Sequence, residues 1–195
     1  MADNQPQIDD LVRVAAFRAI YSGEAPSPEV LADRLTKPIV EVRAAVGRLI
    51  DRGLLTVDSG GNVTGSHGLS LSPGDYRLTF DLGERYVWCA VDAVGIPAAM
   101  AVNAKVESRC YQCGRSVRLT IRDGHPQGPE ADSLRIGLGV TGSSTGKVIE
   151  DVCPMLNFFC SQEHAEAWAA SAGSATIIDL YQAAEMGRRQ WADVV

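Results

Sequence analysis

Leu69–Asp92 reads LSLSPGDYRLTFDLGERYVWCAVD, and the patterning of the chain changes here. Apolar and polar residues alternate on both sides of a Pro73–Gly74 turn, the period of half-buried strands. Strand-like segments return at AKVESRC (Ala104–Cys110), RSVRLTIRDG (Arg115–Gly124) and LRIGLGVT (Leu134–Thr141). A tight CYQCG turn (Cys110–Gly114) joins the first two, and the Gly/Pro-rich loop DGHPQGPEADS precedes the third. SQEHAEAWAASAG (Ser161–Gly173) predicts a helix with Ser161 as N-cap and Glu163 and Glu166 in its early turns. A short strand or turn and a last helix follow from Ser174.

Upstream of this stretch the pattern is helical. IDDLVRVAAFRAIYSG (Ile8–Gly23) puts Leu11, Val14, Ala15 and Ile20 at helical spacing and stops at Gly23. SPEVLADRLT (Ser27–Thr36) offers Ser27 as N-cap and Pro28 at the first helical position. KPIVEVRAAVGRLIDRG (Lys37–Gly53) predicts a third helix with Val40, Val42, Val46, Leu49 and Ile50 facing inward. LLTVDSGGNVTG (Leu54–Gly65) then reads as two short strands about a Gly-Gly-Asn turn. The expected fold is α+β: a winged-helix-like module over 1–66, then a mixed or antiparallel sheet core with flanking helices over 67–195.

Composition narrows the function classes. The chain has 195 residues, is 46% hydrophobic and 22% charged, and carries a net charge of −6. Residues 1–65 hold seven basic and nine acidic side chains, and the wing TVDSGGNVTG has no Lys or Arg. DNA binding by the third helix wants a basic surplus, so nucleic acid is disfavoured as a partner. The polar, acidic start MADNQPQIDD lacks the features of a secretory signal, and no apolar run is long enough for a membrane span. A cytoplasmic location is expected. GSSTGK (Gly142–Lys147) lacks phosphate-loop spacing. His67 and His125 lie in Gly-rich loops and are expected at the surface.

Five cysteines, an odd number, follow the change of pattern. In a chain without a secretory signal they suggest metal binding, thiol chemistry or core packing rather than a disulfide framework. Cys89 and Asp92 sit three apart in the charge-poor run YVWCAVDAVGIPAAM (Tyr86–Met100), at a strand end or the turn after it. A carboxyl there should have a raised pKa and could carry a proton, and a thiolate beside it is a soft metal ligand. The same residues also read as a core cysteine next to a hydrogen-bonded Asp. Cys110-x-x-Cys113 and Cys160-x-x-x-His164 could supply four ligands to a structural zinc, or be free thiols with a solvated His164.

WCAVDAVGIPAAMAVNAKVESRC (Trp88–Cys110) followed by DVCPMLNFFCSQEHAEAW (Asp151–Trp168) resembles the organomercurial (alkylmercury) lyase family. The likeness rests on an aromatic before Cys89, Asp92 three residues on, a Pro-Ala pair, a strand reaching Cys110, Cys153 five residues before a Phe-Phe pair, and an acidic-Ala-Trp helix. It covers Leu78–Trp168, with looser matches at the N-terminal module and the closing GRRQW helix. The resemblance implies cleavage of a carbon–mercury bond, giving a hydrocarbon and Hg(II). Cys89 and Cys153 would hold the mercury with Asp92 beside it, and Asp92 would take a thiol proton and deliver it to the departing carbon. Trp88, Phe158 and Phe159 would wall the pocket. No cofactor would be needed beyond a solution thiol for product release, and a mercuric reductase would receive Hg(II). The family pattern accounts for Cys110 as a structural cysteine, but not for Cys113 or Cys160. A metal-responsive winged-helix regulator and a zinc-binding, non-catalytic paralogue remain the alternatives.

Overall fold

The apolar helical pattern of the first third is realised as three helices, α1 (Ile8–Tyr21), α2 (Pro28–Leu35) and α3 (Ile39–Asp51), in a computed structural model that describes residues 7–140 and 144–194. The polar N-terminal stretch before Gln7 and the first two residues of the Gly142–Lys147 turn lie outside the described residues. Ser27 Oγ accepts from the Val30 N–H at 3.3 Å, and Pro28 opens α2. The buried Arg85 guanidinium closes α1 from a distance, donating to the carbonyls of Ile20 (2.7 Å) and Tyr21 (2.8 Å), two of the helix's last carbonyls. The inward face of α1 is Val12, Ala16, Phe17, Ala19 and Ile20; Leu11, Val14 and Ala15 are only half-buried. Val40 faces solvent at 72% exposure, because α3 turns Val42, Ala45, Val46 and Leu49 inward.

β1 (Leu55–Val57) and β2 (Val63–Ser66) form the expected hairpin, its turn held by Asp58, whose carboxylate accepts from the N–H groups of Gly60 and Asn62. β2 also pairs with β3 (Leu69–Ser70), so the sheet continues across residue 66. With β4 (Tyr76–Phe80), β5 (Gly83–Val87), β6 (Ala104–Arg109), β7 (Ser116–Arg122) and β8 (His125–Gln127), the order is β1-β2-β3-β5-β4-β6-β7-β8, every neighbour antiparallel. A second antiparallel sheet has β9 (Arg135–Gly139) between β10 (Leu156–Phe159) and β11 (Ala175–Ile178).

The central helix is α4 (Ala90–Met100), which the sequence pattern did not separate from the preceding strand. Every residue from Ala90 to Ala98 is buried, so the segment has no polar face to betray its period. α4 is enclosed between the strands and α7 (Leu180–Gln190), whose start carries a capping box between Asp179 and Gln182. The two helices cross at glycines: a Cβ on Gly187 would lie 2.1 Å from the Gly95 Cα, and one on Gly95 would meet the Trp191 ring at 2.6 Å. Gly187→Ala therefore forces the helices apart and is expected to destabilise the fold by about 1–3 kcal/mol, the usual cost of overpacking. A lower denaturant midpoint with unchanged slope in urea unfolding is the expected result. Among the described residues no helix is long and apolar enough to cross a membrane.

Candidate active site

Strand β5 ends at Val87, and Trp88 N–H donates to the Gly68 carbonyl at 3.0 Å. Cys89 then takes an extended conformation and becomes the N-cap of α4, its Sγ accepting from the Asp92 N–H at 3.4 Å. The i to i+3 spacing of the two residues is thus a cap spacing, which turns both side chains toward the helix N-terminus. The third member comes from far along the chain. A short helix α5 (Val148–Asp151) leads into a 3-10 turn, Cys153–Met155, that presents Cys153. The two sulfurs and a carboxylate oxygen of Asp92 all lie within 4.8 Å of one another. All three residues are at least nine-tenths buried.

Burial sets the electrostatics. It pushes the Asp92 carboxyl up to about 7, against hydrogen bonds from the Cys89 side chain and from the Cys89 and Trp88 backbone. Asp92 Oδ2 is one of two buried side-chain polar atoms without a partner among the described residues. Burial also pushes the Cys89 thiol well above its ordinary range, helped by contact with Cys153 and by the nearby Asp92 charge. The site thus holds a carboxyl that exchanges its proton near neutral pH beside a thiol that stays protonated until something takes its proton.

Neighbouring residues hold this arrangement. Gly68, at φ +94°, lies so close to Asp92 that an added Cβ would sit 2.6 Å from the carboxyl carbon. His67, expected at the surface, instead packs edge-on against Trp191 (centroids 5.6 Å), and Trp191 Nε1 donates to the His67 carbonyl at 2.9 Å. Its Nε2 is the other unpartnered buried atom. Burial and the Arg13 charge hold the imidazole down to about 4, so it is neutral at pH 7. His125 is exposed. The Tyr76 hydroxyl donates to Asn157 Oδ1 at 2.9 Å, and Asn157 Nδ2 donates to the Pro154 carbonyl at 2.8 Å, fixing the turn that carries Cys153. Burial raises the Tyr76 phenol, so it stays a neutral donor.

Cys153 opens onto a cleft of about 960 Å³, which Tyr76, Trp88, Ile149 and Asn157 also line. Cys89 and Asp92 are not part of its lining. Of the expected pocket walls, Trp88 lines the cleft, whereas Phe158 and Phe159 are fully buried core residues. Phe159 stacks at a tilt on Trp168, and Phe158 packs against Tyr76. Tyr76, Asn157 and Gly68 carried no local signal in the sequence: Tyr76 and Gly68 reach the site where β4 and β3 pair with β5, and Asn157 lies on β10 just after the Cys153 turn.

A second cluster gathers Cys110, Cys113, Cys160 and His164, whose ligand atoms also lie within 4.8 Å of one another. Cys110 and Cys113 flank the turn between β6 and β7, closed by Gly114 N–H donating to the Cys110 carbonyl and by Gly114 at φ +70°. Cys160 directly follows β10, and His164 lies in the first turn of α6 (Gln162–Ser171), capped by Ser161. Burial acts to raise the Cys110 thiol, but backbone N–H groups of Cys160, Cys113 and Gln112 outweigh it and bring it down to about 6. Cys110 also lines the cleft onto which Cys153 opens.

Comparison with known proteins bears on the family and the fold. The family model "MerB: Alkylmercury lyase" matches residues 69–192. Curated alkylmercury lyases of Bacillus cereus and Streptomyces lividans are each 28% identical over 172 residues, 88% of this chain and 77% and 78% of theirs. The alkylmercury lyase of Pseudomonas putida is 28% identical over 67% of this chain and 60% of its own. The crystal structure of the mercury-bound form of MerB2 superposes with a TM-score of 0.83, covering 98% of this chain and all of that one at 20% identity, which establishes a shared fold. By the family model, which covers Cys89, Asp92 and Cys153 and more than half of the chain, the chain belongs to the alkylmercury lyase family.

Proposed function

We propose that the protein is an organomercurial lyase that cleaves the carbon–mercury bond by protonolysis, with Cys89, Cys153 and Asp92 as its catalytic residues. The observation that carries this reading is the buried meeting of two thiols and a carboxyl, one oxygen of which has no partner among the described residues. Cys153, the thiol facing the cleft, captures the mercury of an R–Hg⁺ cation. Cys89 loses its proton to Asp92 and becomes the second sulfur ligand. Two soft donors raise the electron density on the mercury-bound carbon. The carbon–mercury bond then breaks with its electron pair on carbon, and Asp92 delivers the proton to that carbon. The balance is R–Hg⁺ plus two thiols giving R–H, Hg(II) held by two thiolates, and one proton released. Mercury stays divalent throughout, so no redox cofactor is called for.

Solution thiol would release Hg(II) from the pair, and a cytoplasmic mercuric reductase would be its recipient. The regulator alternative loses support at α3, where Arg43 pairs with Glu29 and Arg48 with Asp9, leaving less positive charge for phosphate. Incubation of purified protein with phenylmercury and excess thiol tests the reading. Many equivalents of benzene and Hg(II) per chain are expected; none from folded protein would overturn it.

A further inference from the structure

We propose that Cys110, Cys113, Cys160 and His164 bind a structural Zn²⁺ that ties the β6–β7 turn to the β10–α6 junction and so fixes one wall of the cleft in front of Cys153. The proposal does not depend on the catalytic reading, because it uses none of Cys89, Asp92 or Cys153.

The four donor atoms, all within 4.8 Å of one another, are close enough together to surround one ion. Zinc bonds of about 2.3 Å to sulfur and about 2.0 Å to nitrogen imply S···S edges of about 3.8 Å and S···N edges of about 3.5 Å. Cys113 Sγ and Cys160 Sγ lie 3.7 Å apart, Cys110 Sγ and His164 Nδ1 3.7 Å apart, and Cys160 Sγ and His164 Nδ1 3.1 Å apart. A disulfide needs about 2.05 Å between sulfurs, so these spacings do not belong to one. Three thiolates and one imidazole select a borderline-soft cation over calcium or magnesium, which take oxygen. Four protein ligands close the coordination sphere, as in structural rather than catalytic zinc sites. The Cys160 N–H donates to Cys110 Sγ at 3.4 Å, an outer contact that orients a thiolate ligand.

The ligands come from two elements that otherwise meet here through few bonds. Tyr111 N–H donates to the Phe158 carbonyl at 2.8 Å, and the metal would sit beside that link. β10 runs from the Cys153 turn to Cys160, so anchoring Cys160 holds the far end of the segment that presents Cys153.

Metal analysis of untagged protein tests this. Wild type is expected to contain about one zinc per chain. Cys113→Ser and His164→Ala should lose it, whereas Cys89→Ser and Cys153→Ser should retain it. Co²⁺ exchanged into reduced wild-type protein should show the visible bands and thiolate charge transfer of a tetrahedral site, which decides the matter even if the ligand variants fail to fold. Zinc-free protein that takes up no tetrahedral Co²⁺ would overturn the proposal. So would zinc that leaves with Cys89→Ser or Cys153→Ser, or a cluster filled only by mercury after exposure to organomercurial.

Discussion

Asp92→Asn is expected to lower kcat for phenylmercury cleavage by about 10²–10⁴-fold, the range set by loss of a positioned general acid–base. The amide keeps the shape of the side chain but cannot take the Cys89 proton or give one to carbon. Capture of the substrate by Cys153 should survive, so protein-bound phenylmercury accumulates while benzene does not. The same variant should be more stable than wild type at alkaline pH. The folded pKa of Asp92, about 7, lies above its ordinary value of 3.8. Wild type therefore has its full stability only below about pH 4, where the carboxyl is protonated both folded and unfolded. It loses stability as pH rises from about 4 through 7. The loss reaches up to about 4 kcal/mol, since each pH step between the two values costs about 1.36 kcal/mol. The variant's amide does not titrate and has no such loss. The two melting temperatures should converge near pH 4 and separate in favour of the variant at pH 8. Wild type matching or exceeding the variant at pH 8 would contradict the raised pKa.

Cys153→Ser and Cys89→Ser should each reduce turnover by at least ~10³-fold, as when one member of a catalytic unit is removed. A hydroxyl is a hard, weak ligand for a soft metal. The two variants should fail at different stages, because Cys153 lines the cleft and Cys89 does not. Cys153→Ser should lose capture by this pair, seen as absence of a phenylmercury adduct on residues 89 and 153 by peptide mapping under mild conditions. Cys89→Ser should form the adduct and stop there. The double variant should be little worse than either single one, since the sulfurs act as a pair. Equal adduct formation by both single variants would remove the assignment of Cys153 as the capturing thiol.

The site was more legible than the helix that carries it. Cys89 and Asp92 stood out because a carboxyl in an apolar run needs a reason, and an i to i+3 pair at a helix start is a local relationship. Cys153 lies 64 residues beyond Cys89, and only the family resemblance linked them. α4 itself read as a continuation of β5, because a segment buried on every side shows no amphipathic period. Helix ends at Gly23, Ser27 and Ser161 were readable from their capping chemistry. Inward faces were less so: in α1 the buried stripe is offset from the expected one, and Val40 shows that an apolar residue on a short helix need not face the core. Phe158 and Phe159 lie on β10, between the Cys153 turn and Cys160, and serve as core, which a count of aromatics near a cysteine cannot distinguish from pocket wall. His67 is half-buried because Trp191, 124 residues away, packs against it, a contact with no local trace.

A single turnover in D₂O tests the central claim most directly. Reduced wild-type protein is mixed with one equivalent of phenylmercury and no added thiol, benzene is collected, and the free cysteines are then alkylated and mapped. The expected result is about one benzene per chain carrying one deuterium, with Cys89 and Cys153 both protected from alkylation by retained Hg(II). Benzene without deuterium, or Cys89 and Cys153 left open to alkylation after benzene release, would contradict it.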